Sequence, residues 1–174
     1  MLAAQALLAL IAFLLGAALF SFMNVVAWRL PRGKDPLTGR SFCPQCGATL
    51  TAADLVPVFS WLALRGRCRH CGARIPARYL AVELLGGVLA LGCRWRFGAA
   101  YTLTDGLFGI RWQGLAALAL CGVLLSIALI DAETQLIPNR LNAAVAVLAV
   151  VDLLLSPARW GGCVVGALCV SVPM

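Results

Sequence analysis

Residues 2–28 read LAAQALLALIAFLLGAALFSFMNVVAW, a run of 27 residues without a charged side chain, and Arg29 follows it directly. A helix needs about 20 apolar residues to cross the hydrocarbon core of a bilayer, so this run is long enough to span a membrane. A secretory signal carries its positive charge before the apolar run, whereas here the charge comes after it. The pattern therefore predicts an uncleaved membrane anchor whose amino terminus lies outside the cytoplasm.

The composition of the whole chain agrees with this prediction. Of 174 residues, 62% are hydrophobic and 12% are charged, and the mean hydropathy is +0.93. Soluble domains are about half apolar and about a quarter charged, so an ordinary soluble globule is excluded, and so is a disordered chain. Further apolar segments lie at about 79–93, 113–130, 141–155 and from Trp160 onward. We therefore predict an all-α polytopic membrane protein with four or five transmembrane helices.

The net charge of +7 is concentrated in one segment. The residues from Arg29 to Tyr79, named here the basic loop, include nine Lys or Arg residues and two acids, while the rest of the chain is neutral overall. Short loops rich in Arg and Lys stay on the cytoplasmic side, which predicts that the basic loop and the segment 131–140 are cytoplasmic. Contact with anionic lipid headgroups is compatible with this placement. A nucleic-acid partner is disfavoured, because few aromatic residues lie among the basic ones.

Four of the eight cysteines have the spacing of a metal site. Cys43-Pro-Gln-Cys46-Gly and Cys68-Arg-His-Cys71-Gly are two knuckles inside the basic loop, with 21 residues between them. Four thiolates surround Zn²⁺ tetrahedrally and leave no open position, so the predicted metal is structural. Two redox pairs or two disulfides are the alternatives, and a cytoplasmic location disfavours disulfides. Zinc would fold a loop that is too small and polar to hold itself together.

Asp131 comes directly after the third apolar segment. A carboxylate at the end of a membrane helix is a functional candidate, because its burial is costly; a solvated acid at the interface is the alternative. Glu133 lies about 200° further around a continuing helix, so the two acids cannot share one helix face. Glu83, early in the second segment, is expected to pair with Arg78 or Arg140.

An ordered set of motifs extends over most of the chain. It begins with SFMNVVAWRLPRG at 21–33, includes both knuckles with VPVFSWLALRGRC at 56–68, and continues through Ile75, Arg78-Tyr79 and Val82-Glu83-Leu84 to the segment around Asp131. Together these motifs resemble the bacterial type IV prepilin peptidases, also called prepilin leader peptidases/N-methyltransferases. Any one of them alone, such as a single Cys-x-x-Cys, would not be specific.

The resemblance implies an aspartic endopeptidase of the bacterial inner membrane, which cuts leader peptides from type IV prepilins or pseudopilins at the cytoplasmic face. It implies that Asp131 is the first catalytic aspartate. It also implies N-methylation of the new amino terminus with S-adenosylmethionine, an activity associated with the cysteine-containing loop. No glycine-rich nucleotide loop supports that second activity, so it depends on the resemblance alone.

Aspartic proteolysis needs two carboxylates, of which one activates water and the other protonates the peptide carbonyl. The family's second aspartate lies in a Gly-x-Gly-Asp motif, and the 174 residues contain no such motif. Asn139 also stands where many members carry Asp after Pro. We therefore expect a fragment or a prematurely ended product that cannot cleave prepilin by itself.

The predicted organisation has three parts: a first transmembrane helix at 1–28, a cytoplasmic zinc-binding loop at 29–79, and transmembrane helices two to five at 80–174, the incomplete start of a peptidase domain. Two other hypotheses stay open. One is a membrane-anchored zinc module that binds partners in pilus or secretion assembly without catalysis, and the other is a surviving methyltransferase half.

Overall fold

The computed structural model describes residues 2–97, 112–135 and 138–155, and these residues form helices joined by irregular segments, with no β-strand among them. The fifth apolar segment, from Trp160, lies outside the described residues, as does the connection 98–111 between the second and third apolar segments. The helices are α1 (Leu2–Arg29), α2 (Phe59–Ala63), α3 (Ala77–Phe97), α4 (Trp112–Thr134) and α5 (Asn139–Leu155), with short 3-10 turns at Leu30–Arg32 and Ala52–Leu55.

The helix boundaries follow from proline and glycine. Helix α1 gives way to a 3-10 turn that contains Pro31, and Gly33 closes this turn in the left-handed conformation with φ of 67°. Pro76 and Pro138 directly precede α3 and α5. Proline lacks a backbone donor and has a helical φ, so it stops a preceding helix and starts a following one.

Two helices are long and apolar enough to cross a membrane, at Ala3–Arg32 and Gln113–Thr134. Helix α3 is 21 residues long and contains Arg78, Glu83, Arg94 and Arg96, and α5 has 17 residues. By length and composition, the described residues thus include two membrane-span candidates, with the basic loop and α3 between them.

Contacts along the helices show how they are arranged. On α1 and α3, Ser21 contacts Glu83, whereas Gly16, further from the basic loop, contacts Gly86 and Ala90. These two helices therefore run antiparallel. The carboxyl ends of α1 and α4 and the amino end of α5 lie together, because Val26 and Ala27 of α1 pack with Ile130 of α4 and Leu141 of α5 in one buried cluster. The amino end of α3 lies there too, since Arg78 pairs with Glu133 of α4.

A second buried cluster joins α1, α3 and α4 in the middle of the bundle. It consists of Phe20, Val82, Ala90 and Leu118, and the Phe20 side chain is fully buried. The glycines of α3 permit this packing, since a Cβ built on Gly86 would lie 2.5 Å from the carbonyl oxygen of Gly16 and from Cβ of Phe20. The basic loop connects α1 to α3, so the close crossing of these two helices sets the distance between its two ends.

Candidate functional site

The two cysteine knuckles have the same backbone structure. In the first, the amide of Cys43 donates to the carbonyl of Ala48 and the amide of Gly47 donates to the carbonyl of Cys43, both at 2.9 Å; the second repeats both bonds at 2.8 and 3.0 Å. Gly47 and Gly72 both have φ of 70°, a conformation that costs glycine nothing. An isolated antiparallel β-bridge closes each knuckle. The two cysteines of each knuckle are therefore held in the same kind of tight turn.

The knuckles bring all four predicted sulfur atoms together. The Sγ atoms of Cys43, Cys46, Cys68 and Cys71 all lie within 4.8 Å of one another, and those of Cys43 and Cys71 are 3.9 Å apart. Four sulfurs at about 2.3 Å from a tetrahedral zinc ion are about 3.8 Å from each other. These cysteines are free thiols rather than disulfides, and their separation fits a tetrahedral metal ion.

The electrostatics of the cluster also favour a cation. Hydrogen bonds from the backbone amides of Cys71 and His70 lower the pKa of the Cys68 thiol to about 6. At Cys71 the amide of Ala73 lowers the pKa, but desolvation and hydrogen bonds with the other three thiols outweigh it and raise the pKa to about 11. The thiol of Cys68 thus loses its proton more easily than that of Cys71, and a bound metal ion would favour the thiolate form of both.

Side-chain contacts connect the parts of the basic loop. Asp54 accepts a hydrogen bond at 2.7 Å from the hydroxyl of Thr51 and pairs with Arg69 at 2.8 Å, which connects the turn after the first knuckle to the second knuckle. The Thr51 hydroxyl and the Arg69 guanidinium lower the pKa of Asp54 to about 2. Asp54 therefore stays ionised at neutral and mildly acidic pH, and the contact persists there.

Arg29 has a structural role that the sequence did not reveal. The residue is 7% exposed, and its guanidinium donates to the carbonyl of Thr38 at 2.6 Å and to those of Asp35 and Arg40 at 3.3 and 3.2 Å. The segment 33–39 contains two glycines and a proline, and such turns leave carbonyl groups without backbone partners. The glycines and proline of this segment could therefore have predicted that a side-chain donor binds its carbonyl groups.

Glu83 is buried, at 8% exposure, and the prediction that it pairs with Arg78 or Arg140 was wrong. Its carboxylate accepts hydrogen bonds from the Ser21 hydroxyl and from the Val58 amide, both at 2.7 Å, while Arg78 pairs with Glu133. Val58 has φ of 65°, which is unfavourable for a β-branched residue. Glu83 therefore holds a strained turn of the basic loop against α1 and α3.

Asp131 lies in the last turn of α4, at the same end of the bundle as the basic loop. Its side chain is exposed, and its carboxylate has no hydrogen bond or ion pair with the residues that the structure describes. Glu133, two residues later, forms an ion pair with Arg78 at the start of α3. This pair connects the α4 end to the helix that leaves the second knuckle.

A cavity of about 240 Å³ lies between the end of α1, the basic loop and the start of α3. Its wall includes aromatic side chains (Trp28, Phe42, Trp61, Tyr79) and polar ones (Ser21, Asn24, Ser60, Glu83). Asn24 is 3% exposed, and neither its side-chain oxygen nor its nitrogen has a hydrogen-bond partner among the described residues. The sequence pattern did not single out Asn24, because an asparagine in an apolar helix gives no indication of what it faces.

Comparison with known protein families gives a match for the part of the chain that holds these features. Residues 14–97 match the bacterial peptidase A24 N-terminal domain. This range includes most of α1, the whole basic loop with its four cysteines, and α3. Asp131 lies beyond it. No solved structure matches the chain.

Several known proteins are similar over a longer range. The prepilin leader peptidase/N-methyltransferase of Myxococcus xanthus (strain DK1622) is 41% identical over 132 residues, which cover 76% of this chain and 36% of that protein. Proteins of the same name from Burkholderia pseudomallei (strain 1026b) and Aeromonas hydrophila are 38% and 35% identical, over 75% and 86% of this chain and 47% and 52% of their own lengths. The chain thus spans about half the length of these relatives or less. The resemblance predicted from the motifs is confirmed.

Proposed function

Since the chain is a relative of the prepilin leader peptidase/N-methyltransferases, we propose that it provides the zinc-organised domain and one catalytic carboxylate for the processing of type IV prepilins or pseudopilins. The proposed location is the cytoplasmic face of the bacterial inner membrane. The observation that carries this proposal is that the Arg78–Glu133 ion pair joins the end of α4, where Asp131 lies, to the start of α3, at the end of the basic loop that holds the four cysteines.

The orientation in the membrane follows from charge. The basic loop holds the whole excess of Arg and Lys in the chain, and such loops are retained in the cytoplasm. With α1, α3, α4 and α5 crossing the bilayer in alternate directions, the ends near Arg29, Arg78 and Asp131 are all cytoplasmic. The lipid bilayer and a prepilin are then the partners, and the substrate's cleavage site would be presented at this surface.

The metal in this proposal is a structural zinc ion held by Cys43, Cys46, Cys68 and Cys71. Four sulfur ligands leave no open coordination position, so the ion would not activate water. Its contribution is to fix the fold of the basic loop, since its binding free energy is then available only to the folded state. The basic loop would form the surface beside which a substrate segment reaches Asp131.

Asp131 is the proposed first catalytic carboxylate. Of a pair of carboxylates that share a proton, one takes a proton from water and the other donates one to the peptide carbonyl. The sequence has no Gly-x-Gly-Asp motif to supply the second member. We therefore propose that the 174 residues do not cleave prepilin unless a second carboxylate is added.

A chimeric enzyme tests this proposal. Residues 1–155 would replace the corresponding part of the Myxococcus xanthus relative, and leader removal from a prepilin would be followed by mass spectrometry. We expect cleavage by the chimera, a loss of more than about a hundredfold with Asp131→Asn, consistent with the loss of a general acid or base, and little change with Glu133→Gln. Cleavage that survives Asp131→Asn would contradict the assignment. Asp131-dependent cleavage by the 174-residue chain alone would contradict the need for a second carboxylate.

The alternative of a non-catalytic zinc module gives different results in the same assay. It predicts that the chimera is inactive although folded and zinc-loaded, and that Asp131→Asn has no consequence for partner binding. Cys43→Ser would then abolish that binding, because the basic loop would lose its metal.

N-methylation of the newly formed amino terminus, with S-adenosylmethionine as the methyl donor, is the second proposed activity. The names of the relatives include it. When bound, the donor supplies a transferable methyl group on a sulfonium centre, and the acceptor amine loses a proton. The unpartnered Asn24 amide beside an aromatic-lined cavity is consistent with a bound polar ligand.

A further inference from the structure

The segment from Leu55 to Leu62 exposes apolar side chains on a loop that is otherwise polar and basic. Four of its large hydrophobic residues are between 43% and 55% exposed, and together they are named here the apolar patch: Leu55, Val56, Phe59 and Leu62. No Lys or Arg lies between Arg40 and Arg65, so the patch belongs to the part of the basic loop without positive charge. Clustered exposed apolar residues mark a contact with a membrane or with another protein.

Helix α2 and the residue before it are apolar on two faces. On the inner face, Val58 is buried and the Trp61 indole donates to the carbonyl of Ile75. On the outer face, Phe59 and Leu62 are three residues apart and are therefore neighbours on the helix surface. A helix that is apolar all round belongs in a protein core or in a membrane. The residues that the structure describes cover the inner face and leave the outer face exposed.

The contacts of Val58 fix the depth of this segment along α1. The Val58 amide and the Ser21 hydroxyl both donate to the Glu83 carboxylate at 2.7 Å. Ser21 lies eight residues before Arg29, which is about 12 Å along the helix axis. With 28 residues, α1 is about 42 Å long, about 12 Å more than the hydrocarbon core of a bilayer. Ser21 therefore lies no further out than the inner boundary of the core, even if the whole excess projects into the cytoplasm.

Helix α4 gives a greater depth for the same level of the bundle. A Cβ built on Gly122 would lie 3.7 Å from Cε2 of Phe20, the residue before Ser21. Gly122 is twelve residues before Thr134, where the second membrane-span candidate ends, and this is about 18 Å along the axis. When both helices cross the bilayer, Val58 thus lies at or inside the cytoplasmic boundary of the hydrocarbon core. Every residue of the apolar patch is within four positions of Val58.

The backbone of the segment is suited to this environment. Polar backbone groups at membrane depth need partners within the protein. The amides of Phe59, Ser60 and Leu62 donate to backbone carbonyls. The amide of Val58 donates to Glu83. These pairings allow the apolar side chains to meet lipid without exposing the donors beside them.

Exposed arginines follow the apolar patch directly, at Arg65 and Arg67. Apolar side chains at the acyl boundary, with basic side chains beside them, bind a segment to an anionic bilayer surface. We propose that residues 55–62 are inserted in the cytoplasmic leaflet, with the apolar patch against acyl chains and Arg65 and Arg67 at the phosphates of anionic headgroups. The proposal rests on the membrane crossing of α1 and α4 in the proposed function, and it moves part of the predicted cytoplasmic loop into the bilayer.

Photocrosslinking at single positions tests this placement. The zinc-loaded full chain, with a photoreactive diazirine amino acid at position 59 or 62, would be reconstituted in vesicles of equal parts phosphatidylcholine and phosphatidylglycerol. Mass spectrometry would identify the adducts. Leu37 is the matched control position, because it is exposed in the same loop while its neighbour Thr38 binds Arg29 at the end of α1. We expect lipid adducts at positions 59 and 62 at least about fivefold more often than at position 37.

Leu124, half-exposed in the middle of α4, is the positive control for a position inside the bilayer. Lipid adducts at Leu124 without an excess over Leu37 at positions 59 and 62 would overturn the proposal. Adducts of positions 59 and 62 with protein would overturn it too, whether with this chain, a second copy or an added prepilin, because that partner would then cover the patch. Absence of lipid adducts at Leu124 as well would overturn the membrane crossing on which the proposal rests.

The headgroup contact has its own measurement. Lipid adducts at position 59 are expected to contain phosphatidylglycerol at least about threefold more often than phosphatidylcholine, because basic side chains attract anionic lipids. Arg65→Gln combined with Arg67→Gln should abolish this preference and retain the adducts. Arg40→Gln, which removes an exposed basic side chain before the first knuckle, should retain the preference. An unchanged preference in the double variant would overturn the headgroup contact.

Failure of this inference is separable from failure of the proposed function. Leader cleavage by the chimera is followed through its dependence on Asp131, and lipid adducts are followed in the chain itself. A chimera that cleaves, with position 59 free of lipid adducts, rejects insertion of the segment alone. Lipid adducts at position 59 in a chain whose chimera cannot cleave support insertion and reject the peptidase role.

Discussion

The basic loop and the carboxyl end of α4 lie at the same end of the bundle, yet their polar groups are held in different ways. In the basic loop, Asp54, Arg29 and the four cysteines all have partners within the same loop or next to it. At the end of α4, the carboxylate of Asp131 is exposed and has no partner among the described residues. All four sulfur atoms of the candidate metal site are therefore present in the described chain, whereas the proposed function makes Asp131 one component of a catalytic pair.

Removal of the metal should produce the largest difference between these two regions. Chelation, or Cys43→Ser, is expected to reduce bound zinc from about one ion per chain to near zero and to unfold the basic loop, because structural zinc contributes on the order of 10 kcal/mol to folding. The helices should remain intact. Elemental analysis and limited proteolysis within residues 30–76 would measure this effect.

Cys121→Ser is the matched control for that experiment, because Cys121 lies in α4 outside the sulfur cluster. It should retain zinc and resist proteolysis like the unmodified chain. Zinc content below about half an equivalent in freshly purified unmodified protein would contradict a stoichiometric structural site.

Loss of Glu83 should have the next largest effect. It tests whether contacts with α1 and α3 stabilise the fold of the basic loop. Glu83→Ala leaves the Ser21 hydroxyl and the Val58 amide without a hydrogen-bond partner. Each unpaired group costs about 1–3 kcal/mol of stability. We expect the free energy of unfolding in detergent to fall by about 2–6 kcal/mol and the strained turn at Val58 to open.

The measurements for Glu83→Ala are denaturant unfolding and amide exchange around residue 58. Glu133→Ala is the control, since it removes a carboxylate of the same type from a half-exposed position. Equal losses of stability in the two variants would show that burial of Glu83 has no special energetic weight.

The crossing of α1 and α3 supports both regions, and a methyl group added there should have an intermediate effect. Gly86→Ala puts Cβ against the backbone of Gly16 and the ring of Phe20, and such overpacking costs about 1–3 kcal/mol. Gly92→Ala in the same helix meets no atom within 4 Å and should be neutral or slightly stabilising, because alanine favours helix. Thermal unfolding of the two variants in the same detergent compares them, and a destabilised Gly92→Ala with an unaffected Gly86→Ala would contradict the packing described.

The smallest expected effect is at the connection between the two regions. Glu133→Gln removes the ion pair with Arg78, and exposed ion pairs contribute about 0.2–1 kcal/mol. We expect a correspondingly small loss of stability that decreases further at high salt, since both side chains are partly exposed to screening ions. Denaturant titrations at low and high salt measure it. A loss above about 2 kcal/mol would mean that this pair holds the α4 end much more firmly than its exposure indicates.

The sequence predicted most of the cysteine site and little of its surroundings. Two Cys-x-x-Cys-Gly knuckles have a local hydrogen-bond pattern that the spacing and the glycines already dictate, so the convergence of four sulfurs could be foreseen. The partners of Glu83 could not be foreseen, because Ser21 is 62 residues away and the Val58 amide gives no sequence signal. The sequence favoured a pair between Glu83 and a basic residue, Arg78 or Arg140. The packing of α1 against α3 instead places Glu83 beside Ser21, and Arg78 pairs with Glu133.

The sequence by itself determined the apolar helices, the metal-binding pattern, the concentration of positive charge and the family resemblance, because each depends on residue type and short-range spacing. Tertiary structure alone decided that Glu133 pairs with Arg78, that Glu83 is buried against neutral donors, and that Asn24 faces an aromatic-lined cavity. Those facts depend on which helix faces meet, and the close approach of α1 and α3 at Gly16 and Gly86 determines this for residues that are distant along the chain.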